Sequence, residues 1–170
     1  FKEAQKRGYP LAVVGIPKTI DNDVPFVTRT FGYLTAVEES CKVIGNAHVE
    51  ASSVENGISI VKLMGRNAGF IAVGATVANQ DVNFVLIPEV PFKLEGDTGF
   101  LQTLKKRICE RRHAVIVVAE GAGQDLIPHG EKLHDASGNV LLDDIGLYLK
   151  DQIEKFFREE HIPVTIRYFD

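Results

Sequence analysis

The residues best suited to chemistry lie in one short loop near the start of the chain. That loop, residues 15–23, holds a cation, a hydroxyl, an amide and two carboxylates: Lys18, Thr19, Asn22, Asp21 and Asp23. Phosphoryl transfer uses such groups, because phosphate charge needs a cation, an attacking hydroxyl needs a base and a metal ion needs a carboxylate. A turn rich in Asp and Asn has the same composition without any catalytic role. The spacing alone leaves both interpretations open.

Two further stretches carry groups of the same kind. Arg66 follows Gly65 after an apolar run and precedes a segment with helical character, and a guanidinium beside a helix N-terminus suits a phosphate. Gly65 lets the backbone approach a ligand closely. Glu120 ends another apolar run, where its carboxylate can accept hydrogen bonds from sugar hydroxyls. Strand ends are where open α/β sheets bind ligands, so we predict that Asp21, Arg66 and Glu120 meet in one cleft.

Three segments, 15–23, 62–70 and 119–125, resemble motifs of the phosphofructokinase family and occur in that family's order. The resemblance extends over essentially all 170 residues. It implies transfer of a phosphoryl group to the 1-hydroxyl of fructose 6-phosphate, giving fructose 1,6-bisphosphate, with Mg²⁺ as cofactor. It also implies a homo-oligomer, either dimer or tetramer.

The resemblance assigns roles to individual residues. It makes Asp21 the general base, with Thr19 and Arg66 as further catalytic groups, and it places Lys18 at the donor phosphate. The implied substrate-binding residues are Thr19, Asp21, Asp23, Met64, Gly65, Arg66 and Glu120. Asp23 is in addition the predicted contributor to the metal site. One departure stands out, because an arginine of bacterial relatives falls near Gly57 here.

The phosphoryl donor is less sharply indicated. Lysine at position 18 is similar to the pyrophosphate-using enzymes and also to the ATP-using plant and trypanosomatid branch. Residues 135–139, followed by 144–146, resemble the ATP-using branch more, so we expect ATP. A pyrophosphate-dependent enzyme is the alternative, and a non-catalytic regulatory subunit is a third interpretation. The presence of Asp21 argues against that third interpretation.

The composition excludes several other classes. The net charge of -4, without a basic stripe, gives no reason to expect a nucleic-acid partner. No apolar run is long enough to span a bilayer, and we expect no membrane partner. Cys41 and Cys109 lie far apart, which favours a reducing compartment and buried or interface positions for both. We therefore predict a cytoplasmic protein, with an organellar form as an alternative.

Apolar periodicity predicts the elements that position these groups. The predicted strands are 11–16, 58–63, 82–87, 114–119 and 163–169. The predicted helices are 32–54, 69–79, 99–112 and 143–161. This alternation predicts an α/β fold with a mainly parallel sheet flanked by helices. The run 114–119 is continuously apolar and 82–87 is apolar except for Asn83, which is typical of strands buried on both faces. We predict an internal portion of a larger catalytic region, with no independent domain boundary within 1–170.

Overall fold

A computed structural model describes residues 1–128, 134, 138 and 140–170. The helices in these ranges are α1 (Lys2–Lys6), α2 (Tyr33–Ser52), α3 (Phe70–Ala78), α4 (Phe100–Arg111) and α5 (Ile145–Glu159). The strands are β1 (Gly57–Leu63), β2 (Phe84–Leu86), β3 (His113–Ala119) and β4 (Thr165–Phe169). A one-turn 3₁₀ helix, Gln124–Leu126, follows β3.

The four strands form one parallel sheet in the order β2-β3-β1-β4. The two central strands pair along their whole length, from Gly57 opposite His113 to Leu63 opposite Ala119. Both strands are rich in β-branched residues, which suit a pleated surface that is buried on both sides. Because β1 and β3 end in register, the chain leaves both strands side by side at the same edge of the sheet.

Each face of the sheet is covered by two helices. Helices α2 and α3 pack on one face through Ile44, Ala47, Ala72 and other small or branched residues. Helices α4 and α5 pack on the opposite face through a larger cluster: Leu101, Leu104, Ile108, Ile145, Leu149, Ile153 and Phe157. Helix α5 begins at a true side-chain cap, because Asp144 accepts hydrogen bonds from the amides of Gly146 and Leu147. The predicted α/β class and its parallel sheet are confirmed.

The predicted strand 11–16 is wrong. These residues form no strand, and their apolar side chains are exposed, from 46% for Leu11 to 86% for Val14. An extended segment becomes a strand only when a neighbour satisfies its backbone groups. In the described sheet both neighbours of β1 are other strands, and neither edge strand pairs with 11–16. Apolarity alone carried no information about that missing partner.

Two smaller expectations also need correction. The run 82–87 shortens to the three residues of β2, which lies at the sheet edge with Val85 exposed, whereas 114–119 is fully buried as predicted. Of the two cysteines, Cys41 is half-buried, whereas Cys109 is exposed and so is not a core residue, and its interface position stays a prediction. Residues 135–139, on which the expectation of ATP partly rests, lie outside the described residues except for Gly138.

Candidate active site

The carboxyl ends of β1 and β3 form the switch point of the sheet. After β1 the chain crosses to α3 on one face, and after β3 it continues to α5 on the other. Neighbouring strands whose connections depart to opposite faces leave a crevice between them, and open α/β sheets bind ligands there. The loop that follows β1, residues 64–69, and the turn that follows β3, residues 120–123, both begin at this crevice.

The loop after β1 depends on Gly65. Its φ of +137° lies in the region that disfavours other residues, and a Cβ there would overlap the carbonyl oxygen of Ala68. Gly65 is buried, whereas the preceding Met64 is 47% exposed and so does not fill the core. Arg66 is half-buried, and its guanidinium donates to the Val140 carbonyl at 3.2 Å.

The turn after β3 docks directly on this loop. The Glu120 amide donates to the Leu63 carbonyl at 2.9 Å, and the Gly121 amide donates to the Gly65 carbonyl at 3.0 Å. A Cβ on Gly121 would overlap the Arg66 carbonyl oxygen, so only glycine permits this approach. The structure therefore brings Met64, Gly65, Arg66 and Glu120 together through backbone contacts.

Gln124 holds the Glu120 turn to the chain that leads into α5. Its side-chain amide nitrogen donates to the carbonyls of Glu120 and Asp143, at 2.7 and 3.0 Å. Its side-chain oxygen accepts from the Asp143 amide at 3.2 Å. Sequence analysis missed Gln124, because its partners are backbone groups whose position no local pattern specifies.

The loop 15–23 is ordered by its own turns. The Thr19 hydroxyl oxygen accepts from the Asp21 amide at 3.1 Å. Asn22, at φ 60°, accepts from the Thr30 amide at 2.8 Å and thereby holds the loop to the segment before α2. Lys18 and Asp23 are exposed, and Asp21 is half-buried. Among the described residues no ion pair engages any of these three charged groups.

A shallow depression lies between this loop and the start of α3. Asn22 and Asp23 line it together with Phe70, the first residue of α3. Phe70 follows the Arg66 loop directly, so Asp23 lies near the helix that this loop precedes. The meeting of Asp21 with Arg66 and Glu120 in a single cleft stays a prediction.

Glu89 is a second residue to which sequence analysis assigned no role. Its two carboxylate oxygens accept from the Gly69 amide at 2.8 and 3.0 Å, at the start of α3. A carboxylate at a helix N-terminus is favoured by the helix dipole. Because this amide is already engaged, the predicted phosphate site at α3 shares its position with a protein carboxylate. Glu89 lies twenty residues from its partner, so no local spacing signals the contact.

A charged cluster lies just behind the switch point, and we call Lys62, Asp144, Tyr168 and Asp170 the Lys62 cluster. The Lys62 ammonium is 3.0 Å from Asp144 and 3.1 Å from Asp170. Burial by itself lowers the pKa of Lys62, but its interactions with Tyr168, Asp144 and Asp170 outweigh burial and raise that pKa. Burial alone would raise the pKa of Asp144, but hydrogen bonds, first of all with Lys62, hold it below its ordinary value.

Neither a ready-made metal centre nor a membrane helix is present in the described ranges. No group of three His, Cys, Asp or Glu side chains there is arranged to hold a metal ion. No helix there combines the length and apolarity needed to cross a bilayer.

Gly57, where the sequence departs from bacterial relatives, is the first residue of β1 and therefore lies at the other end of that strand from Met64. A Cβ on Gly57 would overlap the Ala51 carbonyl, so a larger residue does not fit there.

The fold is that of a parallel α/β protein, and its crevice lies at a switch point, where such sheets bind ligands. The sequence profile described as "Phosphofructokinase" matches residues 1–167, and the chain belongs to the phosphofructokinase family. The ATP-dependent 6-phosphofructokinase 1 of Arabidopsis thaliana is 53% identical over 174 residues, which cover 100% of this chain and 37% of that protein. An ATP-dependent 6-phosphofructokinase of Borreliella burgdorferi is 49% identical, covering 99% of this chain and 39% of that protein.

Solved structures agree on the fold. A pyrophosphate-dependent phosphofructokinase from Marinobacter aquaeolei superposes with a TM-score of 0.62 at 22% identity, covering 98% of this chain and 39% of that one. The Pichia pastoris phosphofructokinase in the T-state gives a TM-score of 0.57, also at 22% identity, over 88% of this chain and 15% of that one. The predicted family membership is confirmed. The chain spans less than two fifths of the two curated relatives named above.

Proposed function

We propose that the protein containing this chain transfers the terminal phosphoryl group of ATP to the 1-hydroxyl of fructose 6-phosphate. The observation that carries this proposal is the docking of the Glu120 turn on the Met64–Arg66 loop at the switch point. That contact joins the loop that carries the Arg66 guanidinium, which suits phosphate oxygens, to the turn that carries the Glu120 carboxylate, which can accept from sugar hydroxyls. The relatives named as ATP-dependent enzymes support ATP over pyrophosphate as donor.

In this proposal Asp21 accepts the proton of the 1-hydroxyl as the sugar oxygen attacks. A bond forms between that oxygen and the γ-phosphorus, the bond from phosphorus to the bridging oxygen breaks, and ADP leaves. Arg66 stabilises the charge on the transferred group, and Lys18 binds the donor phosphates. Thr19 can donate its hydroxyl proton to a phosphate oxygen, since its oxygen already accepts from the Asp21 amide. Such catalysis rests on positioning and electrostatics.

The remaining assignments concern the sugar and the metal ion. Glu120 and Met64 contact fructose 6-phosphate, and Gly65 lets the backbone approach it. Asp23 fits a magnesium ligand, because its carboxylate is exposed and Mg²⁺ takes one or two carboxylates together with substrate phosphates. When bound, Mg²⁺ would be held by Asp23 and would neutralise the negative charge that develops during phosphoryl transfer. A homo-oligomer and a cytoplasmic location complete the proposal, and two relatives are named as chloroplastic.

The test is an assay of the full-length protein with fructose 6-phosphate, magnesium and either ATP or pyrophosphate at equal concentration. We expect fructose 1,6-bisphosphate to form with a kcat/KM that favours ATP. A preference for pyrophosphate would replace the donor and leave the acceptor chemistry intact. No product with either donor would contradict the proposed function and favour a non-catalytic subunit.

A further inference from the structure

The Lys62 cluster is a dense polar group that the proposed mechanism does not use. Lys62 Nζ lies 3.0 Å from Asp144 Oδ2, 3.1 Å from Asp170 Oδ2 and 5.8 Å above the centroid of the Tyr168 ring. The Tyr168 hydroxyl donates to the Asp144 carboxylate at 2.9 and 3.0 Å. The Lys62 side chain is only 16% exposed, so its ammonium is committed to these partners rather than open to a ligand.

The members of the cluster come from separate elements. Lys62 is the next-to-last residue of β1, Asp144 is the N-cap of α5 and Tyr168 lies in β4. The Tyr168 ring packs so closely on α5 that a Cβ on Gly146 would overlap it. The cluster therefore ties the end of β1 to the start of α5 and to the neighbouring strand.

The same ties reach the proposed sugar-phosphate site. Lys62 stands two residues before Met64, and the intervening Leu63 carbonyl accepts the Glu120 amide. On the α5 side, Arg66 donates to Val140, and Gln124 joins Asp143 to the Glu120 carbonyl. The short segment 140–144 is thus attached at three points, by Arg66, by Gln124 and by Lys62.

We infer that Lys62 is a positioning residue that aligns Arg66 and Glu120 for fructose 6-phosphate by anchoring segment 140–144 to β1. A partly buried ion pair often adds little net stability, so a gain in stability alone is a weak reason for this arrangement. Alignment is a stronger one, since a misplacement of about 1 Å at an active site can cost about 10²-fold in rate. This inference rests on the proposed function only for the identity of the substrate.

The test compares three variants of the full-length protein. Lys62→Met removes the charge and keeps the stem, Lys62→Arg keeps the charge, and Lys105→Met is the matched control. Lys105 forms an equally specific pair with Glu160 at 2.6 Å, but that pair joins α4 to the far end of α5. We measure KM for each substrate, and amide hydrogen exchange across 63–69 and 140–147.

We expect Lys62→Met to raise KM for fructose 6-phosphate roughly tenfold, with KM for ATP unchanged and faster exchange in both segments. Lys62→Arg should recover most of the affinity, and Lys105→Met should change neither readout. A merely structural lysine would lower the active fraction and leave both KM values alone, and that result would overturn the inference. Equal effects from Lys62→Met and Lys105→Met would overturn it as well.

The role of Lys62 can also be tested if the wild-type protein is inactive or if Lys62→Met does not fold. If the wild-type protein forms no product, the proposed function fails, and hydrogen exchange alone then decides whether Lys62 orders residues 63–69. Unchanged exchange would then overturn the inference. If Lys62→Met does not fold, Tyr168→Phe removes one hydrogen bond to Asp144 and should shift the same readouts in the same direction by less. No shift in that folded variant would contradict the inference.

Discussion

Two glycines bring the two loops of the proposed site together because they have no side chain. Gly65 and Gly121 have no Cβ, and this absence lets the loop after β1 and the turn after β3 touch through their backbones. The side chains of Arg66 and Glu120 are then presented from a rigid base rather than from two independent loops. Asp21, by contrast, is held through its amide by Thr19, which leaves its carboxylate available for proton transfer.

At this scale the sharpest prediction concerns Asp21. In the full-length protein, Asp21→Asn should lower kcat by about 10²–10⁴-fold, because an amide cannot accept the hydroxyl proton. The thermal unfolding midpoint should stay at the wild-type value, since among the described contacts the Asp21 carboxylate holds no partner. Asp97→Asn, at an exposed loop position, is the control and should leave kcat unchanged. A variant that keeps most of its turnover would remove Asp21 from the mechanism.

Among the secondary-structure elements, the start of α3 shows how a distant residue completes a local structure. The helix has no side-chain cap from its own preceding residue, Gly69. Glu89 supplies that function from the loop after β2, and a Cβ on Gly69 would overlap Ile87 of the same loop. The junction therefore joins the Arg66 loop to the strand at the sheet edge.

Removal of this cap should be measurable as a loss of stability. Glu89→Ala should cost about 0.5–2 kcal/mol of unfolding free energy, the usual cost of losing a helix N-cap. Glu89→Gln should cost less, because its amide oxygen still accepts from Gly69. Chemical denaturation of both variants, with Glu95→Ala in the same loop as control, measures the difference. Equal stability of Glu89→Ala and Glu95→Ala would contradict the capping role.

On the scale of the whole molecule, the Lys62 cluster couples stability to pH. Burial is the main reason that the pKa of Tyr168 is raised from 10.0 to about 12. An unfolded tyrosine ionises first, so the unfolded state loses its proton first and stability falls as pH rises between these values. The raised pKa of Lys62 acts with the same sign above its ordinary 10.5. The lowered pKa of Asp144 acts at the other end, where stability is lost as pH falls below 3.8.

We therefore expect the unfolding midpoint of the full-length protein to fall between pH 10 and about 12, and Tyr168→Phe to flatten that decline. Thermal melts followed by circular dichroism across this range provide the measurement. Tyr9→Phe, at an exposed tyrosine, is the control and should retain the wild-type slope. If the unfolding midpoint of Tyr168→Phe fell with pH as steeply as that of the wild type, Tyr168 would not be the cause of the loss of stability at alkaline pH.

Local pattern was enough to predict most of the elements. The buried faces of α4 and α5 follow from residues spaced three and four apart, and Leu104, Ile108, Leu149 and Ile153 are fully buried. The predicted helices and four of the predicted strands were confirmed within a few residues of their ends. Periodicity succeeds here because one covered face imposes a repeat on the sequence itself.

By itself, the sequence determined the parallel α/β class, its main elements and, through three motifs, its family. Only the tertiary structure decided that segment 11–16 is unpaired, that Glu120 rests on the Arg66 loop, and that Glu89, Gln124 and Lys62 support that arrangement. The physical reason is the distance along the chain over which each kind of interaction acts. Helical and strand patterns arise from neighbours a few residues apart, whereas strand pairing and these side-chain contacts join residues that are distant in the chain.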